Sequence, residues 1–203
     1  MVARGCGYGV VLCSVIALIW LAPGPLPAQE PSFKGRALSE WVGDLRNASP
    51  QVREKAVEAF RSIGPQAVPS LAGVLKGADP QARQAAIRSL SGIIPVQKDV
   101  VLIIVEALHG ADPAAQQAAA ATWSGLKAKI GRDVILALAD DLKHDKVDVR
   151  RKAAEALAEI RSVEKESLQA LAAALKDSQA VVRQKAADAL GAIGPEAADA
   201  VPA

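Results

Sequence analysis

Large apolar residues recur along this chain at a spacing that paired helices satisfy. Five leucines, Leu45, Leu75, Leu108, Leu142 and Leu175, each follow an apolar residue four positions back (Trp41, Leu71, Ile104, Leu138, Leu171) and another seven back (Leu38, Val68, Val101, Ile135, Leu168). Such offsets fall on one stripe of an α-helix, which predicts a first helix in each of five units. Eight residues after each leucine stands Arg53, Arg83, Gln116, Arg150 or Arg183, so the units repeat every 30, 33, 34 and 33 residues. Counted from that polar marker, position three is always alanine (Ala56, Ala86, Ala119, Ala153, Ala186). Position seven is Phe60, Leu90, Trp123, Leu157 or Leu190, and position ten is Ile63, Ile93, Leu126, Ile160 or Ile193. This stripe predicts a second helix whose alanine lets its partner approach closely while the larger side chains interdigitate around it.

Turn residues agree with that division. Ser49-Pro50, Asp79-Pro80 and Asp112-Pro113 each offer a capping side chain before a proline at the first helical position, and Gly64-Pro65 and Gly194-Pro195 stop the second helix. The expected units are about 37–64, 65–94, 95–130, 131–162 and 163–194, with a partial unit at 195–203 and a linker or extended cap at 29–36. No stretch shows strand-like alternation. The expected fold is all-α, a solenoid of stacked helical hairpins.

The pattern Leu-x-x-x-Asp-Pro-x-Ala-Arg-x-x-Ala-x-x-x-Leu over Leu75 to Leu90, echoed in Leu142 to Leu157 and Leu175 to Leu190, resembles the HEAT repeat. It is similar to the short-repeat form also found in phycobilisome lyases. The resemblance spans Ala37 to Ala203 and implies a right-handed α-α superhelix of five HEAT-like hairpins. It also implies a scaffold for protein binding, with a bilin lyase or isomerase as the enzymatic alternative. In this family the repeated arginine is a structural signature, which implies that Arg53, Arg83, Arg150 and Arg183 hold neighbouring loops and do not form an anion-binding ladder.

The first 28 residues read differently. Arg4 precedes the apolar run Val10 to Ala22, and Pro23-Gly24-Pro25-Leu26-Pro27-Ala28 then breaks the helix before a small residue. This is the layout of a secretory signal, and the run is shorter than the roughly 20 residues of a membrane-spanning helix. Export therefore places the mature chain in the periplasm or outside the cell, without a membrane span, and counts against pigment-assembly chemistry. Cys6 and Cys13 both lie in this segment, neither in a lipidation context, so the mature chain has no cysteine and depends on packing alone. At the other end, Ala200-Val201-Pro202-Ala203 echoes Ala67-Val68-Pro69-Ser70, as expected either for a piece of a longer array or for an incomplete final cap. A regulatory array of a longer multidomain protein is thus a further alternative.

Removal of the leader leaves 23 Lys and Arg against 22 Asp and Glu, a balance with no case for nucleic acid as partner. Candidate chemistry is sparse. His109 and His144 follow the anchor leucines without a close-spaced ligand motif, and no nucleophile or phosphate-loop motif occurs. No catalytic, cofactor or metal residue is assigned. Lys55 with Glu58, Lys152 with Glu155 and Lys185 with Asp188 recur at a spacing of three and are expected as surface ion pairs along the helix.

What remains is the surface of the second helices, which line the concave side in this architecture. Their outward positions carry Glu54 and Glu58, Gln84 and Arg88, Gln117, Arg151 and Glu155, Gln184 and Asp188, expected as one continuous polar stripe for a protein or peptide partner. Trp41, Phe60 and Trp123 are all expected in the core, leaving a partner to supply aromatic anchors. The leader yields the first prediction: N-terminal sequencing of the exported protein begins at or within a few residues of Gln29, and a start at Met1 overturns the leader.

Overall fold

The computed structural model describes residues 30–200, with the side chains of the last two of these left aside. The leader, Gln29 and the final echo at 201–203 lie outside the described residues. Ten α-helices follow one another as five antiparallel hairpins: α1 (Leu38–Asp44) with α2 (Pro50–Ile63), α3 (Val68–Leu75) with α4 (Pro80–Leu90), α5 (Lys98–His109) with α6 (Pro113–Lys127), α7 (Arg132–Asp141) with α8 (Val147–Ile160), and α9 (Lys165–Ala174) with α10 (Ala180–Ile193). No described helix is long and apolar enough to cross a membrane.

The repeated alanines explain how the hairpins close. Ala56, Ala86, Ala119, Ala153 and Ala186 are all fully buried. A second small-residue row lies three positions further on: Ala59, Ser89, Thr122, Ala156 and Ala189 are buried too. Two rows of small side chains on each even-numbered helix let backbones approach without voids. Around them the stripe residues Trp41, Leu71, Ile104, Leu138 and Leu171 join one contiguous core with Phe60, Leu90 and Leu157. Trp123 departs from expectation: it is only partly buried, packed on the edge of the core, while its neighbour Thr122 turns inward.

Asp79 and Asp112 cap α4 and α6 as the sequence predicts, Asp79 accepting from the amides of Gln81 (2.9 Å) and Ala82 (3.3 Å), and Asp112 from that of Ala114 (3.2 Å). Ser49 does not. Its hydroxyl hydrogen-bonds the Gln51 side chain at 2.8 Å, and α2 starts on Pro50 without a side-chain cap. Gly64 and Gly194 end α2 and α10 at φ 77° and 89°, values that side chains with a Cβ rarely adopt.

The segment expected as linker or extended cap is a cap built from a hairpin. Ser32–Phe33 (β1) pairs antiparallel with Arg36–Ala37 (β2), correcting the expectation that no strand occurs. Phe33 packs against Trp41, whose indole nitrogen donates to the Phe33 carbonyl at 3.3 Å, and the Arg36 guanidinium lies over the indole ring at 4.0 Å. An open first unit would expose α1, and this hairpin covers part of it.

Stacking is regular except at one joint. Helices α2, α4 and α6 pack side by side, as do α8 and α10, but α8 packs more closely on α5 than on α6. The even-numbered helices therefore form two separate runs. Leu157 lies at the centre of the second, fully buried. Leu157→Ala is expected to cost about 2 to 5 kcal/mol in chemical denaturation, through lost contacts and the cavity left behind.

Candidate functional surface

The repeated polar marker has a defined structural task. Arg53 donates to the carbonyls of Asn47 (2.6 Å) and Ala48 (2.8 Å), Arg83 to Gly77 (2.6 Å), Arg150 to His144 (2.8 Å) and Asp145 (3.0 Å), and Arg183 to Asp177 (2.7 Å) and Ser178 (3.1 Å). Each closes the turn inside its own hairpin by satisfying carbonyls of the turn residues between the two helices. Gln116 reaches only the Gly110 carbonyl. The arginines are thus engaged in structure, as the resemblance implies.

Two of them also reach the next unit. Arg83 Nε donates to Asp112 Oδ2 at 2.7 Å, and Arg150 grips both oxygens of Asp177 at 2.7 and 3.0 Å. These hydrogen bonds hold the Asp112 and Asp177 carboxyls below their ordinary values and raise Arg150. The remaining joints use other pairs. Units one and two are tied by Glu54 with Arg88 and by Arg61 donating to the Arg88 carbonyl at 3.1 Å. Units three and four, where Gln116 replaces arginine, are tied by Lys98 with Asp141 (2.7 Å), Lys152 with Glu106 (2.8 Å) and His109 with Glu159 (3.1 Å).

The surface ion pairs therefore differ from expectation. Lys152 and Lys185 reach across to Glu106 and Glu155 on neighbouring helices, and Lys55 with Glu58 is not a close pair. The histidines stay apart in role: His109 ends α5 and faces Glu159, while His144 accepts from the Lys146 amide at 3.0 Å. Among the described residues no three His, Cys, Asp or Glu side chains converge to hold a metal ion.

The nine residues expected on one stripe fall into two patches. Glu54, Glu58, Gln84, Arg88 and Gln117 lie on the first run of helices, and Gln84, Arg88 and Gln117 line a groove of about 510 Å³ between α4 and α6. Arg151, Glu155, Gln184 and Asp188 lie on the second run. Arg151 and Glu155 line a cleft of about 350 Å³ with Glu106 and His109 of α5, and Asp188 lines the adjoining hollow. The end of α5 stands at the second patch, so the stripe is not continuous. Nor are its charges free: Arg88 meets Glu54, and Glu155 is held by Arg151 (2.9 Å) and Lys185 (3.4 Å).

The family model of HEAT repeats matches residues 39–122 and 135–203, about three quarters of the chain. The chain belongs to the HEAT-repeat family. The unmatched stretch coincides with the end of α6 and the start of α7, the joint where stacking changes. No curated protein matches the sequence. Among solved structures, a crescerin whose TOG domain array regulates microtubules in the primary cilium is 18% identical, with 78% of this chain and 76% of that one covered and a TM-score of 0.49. The CpcE–CpcF complex of phycocyanin lyase from Nostoc is 19% identical over 75% of this chain and 96% of that chain, with a TM-score of 0.41. A designed armadillo repeat protein in complex with a (KR)4 peptide is 20% identical over 78% and 82%, with a TM-score of 0.33.

Because the folded Asp177 carboxyl titrates below its ordinary value, its contribution to stability is present above about pH 4 and is lost as pH falls through the lowered value. Asp177→Asn is therefore expected to lower the melting midpoint by a few degrees at neutral pH and to converge with the parent in strong acid. A difference that persists unchanged at low pH assigns the loss to something other than this carboxylate.

Proposed function

We propose that this HEAT-repeat chain is a non-enzymatic adaptor that holds a protein or peptide on the outward faces of its even-numbered helices, and that it works in the cell envelope after export. The observation that carries this reading is the pair of open polar hollows on those faces. Most large apolar residues of the repeat pattern are spent inside the stack, and the solvent-open positions on α4, α6, α8 and α10 include amides and charges beside small side chains. The shifted acids and arginine support it as well, because Asp112, Asp177 and Arg150 are each spent in an ion pair that holds two units together, Asp112 and Arg83 doing so beside a small apolar hollow of about 230 Å³. Export is supported by the leader pattern in the sequence.

A photo-crosslinking residue placed at Gln117 or Asp188 is expected to capture the native partner, whereas one at Gln169, exposed on α9, is expected to give none. Capture from Gln169 alone overturns the assignment of the face. The two patches separate by charge reversal: Arg88→Glu or Arg151→Glu, whichever patch the partner covers, weakens binding at least tenfold, about 1.4 kcal/mol, with the helical spectrum retained.

A further inference from the structure

The middle of the array differs in charge from its flanks. Residues 80–98, which form α4, the turn after it and the first residue of α5, contain Arg83, Arg88 and Lys98 and no acid, with Asp79 and Asp99 at the two borders. Residues 113–132, which form α6, the turn after it and the first residue of α7, contain Lys127, Lys129 and Arg132 and again no acid, with Asp112 and Asp133 at the two borders. By contrast α2 carries Glu54 and Glu58, α8 carries Asp148, Glu155 and Glu159, and α10 carries Asp188. Carboxylates that pair with the central cations come from elsewhere: Glu54 from α2, Asp112 from the α5–α6 turn, Asp141 from α7, and Glu164 and Glu166 from the start of α9.

The groove between α4 and α6 lies inside this acid-free zone. Its lining holds the cations Arg88 and Lys129 and the neutral polar side chains of Gln84, Ser91, Gln117 and Thr122. Its floor is low because α6 places Ala118, Ala121 and Gly125 where α8 carries Lys152, Glu155 and Glu159. Its far side stays open because α8 has turned to α5. One cation in it is unspent, since Lys129 is exposed without an ion pair among the described residues, and the other, Arg88, is 40% exposed and meets one carboxylate, that of Glu54. The Glu54 carboxylate on the other side of Arg88 is more than half exposed, so that pair is weak and open to exchange.

We infer that the α4–α6 groove is the docking site for an acidic segment of the partner protein, with a ligand carboxylate joining Arg88 and a second meeting Lys129. Small side chains between them settle over Ala121 and Gly125. The volume is in the range that holds a few residues of a bound segment. This inference rests on the even-numbered helices being the partner-binding face and narrows it to the first patch and to one sign of charge.

The test titrates the mature chain into fluorescein-labelled peptides of equal length, one alternating glutamate and alanine, the other lysine and alanine, and reads anisotropy. The acidic peptide is expected to bind, more weakly as salt rises, and the basic one not to bind. Lys129→Glu and, separately, Ala121→Trp, which fills the floor, are expected to weaken the acidic peptide at least tenfold. Lys143→Glu, the same charge change on an exposed turn away from the groove, is expected to leave affinity within twofold. Thermal melts establish that each variant is folded. Equal binding of the two peptides, no binding of the acidic one, or indifference to Ala121→Trp in a folded variant overturns the inference. If the acidic peptide fails while the native partner still crosslinks from Asp188, the interaction face stands and only this assignment falls.

Discussion

The structure depends on close contact between helices at positions that no large side chain could occupy. Each even-numbered helix buries two small residues, the alanine three positions after the polar marker and a small residue three further on. A hairpin so built cannot enclose its own apolar stripe, since the stripe faces both its partner helix and the next unit. It becomes stable only as neighbours stack, which makes the core continuous along the array. Surface and function follow from that arrangement, because what stacking does not consume is a polar face.

Polar chemistry in this molecule is mostly mechanical. The marker arginines are drawn to the backbone carbonyls of the turns after the odd-numbered helices, where a guanidinium satisfies several acceptors at once. Cross-unit ion pairs then fix how one hairpin sits on the next: the marker arginine meets an aspartate of the following turn at two joints, and other pairs serve the remaining two. The joint between units three and four stands apart. It lacks the arginine and the close α6–α8 packing, and each of its three tying pairs uses a residue of α5. That change divides one solenoid into two short runs of even-numbered helices and gives the molecule two distinct polar hollows.

Helices, their caps and their register were legible in the sequence because they follow from local chemistry and from periodicity repeated five times. The small row at Ala59, Ser89, Thr122, Ala156 and Ala189 was legible too, although Ser89 and Thr122 disguise it with hydroxyls. Trp123 misled because its position in the register is a core position, and only the loosened packing at the end of α6 leaves it partly exposed. The strands at Ser32–Phe33 and Arg36–Ala37 are two residues each, too short for alternation to mark them.

By itself, then, the sequence determined which residues face inward, where each hairpin turns and that the chain is a HEAT array. All of these are fixed by neighbours three to eight residues apart. Tertiary structure alone decided which charges meet, since Lys152 with Glu106 and Arg150 with Asp177 are set by how hairpins lie on one another. It also decided that the outward residues form two patches and not one. A repeat pattern specifies each unit but not the angle between units, and that angle at a single joint carried α8 from α6 to α5.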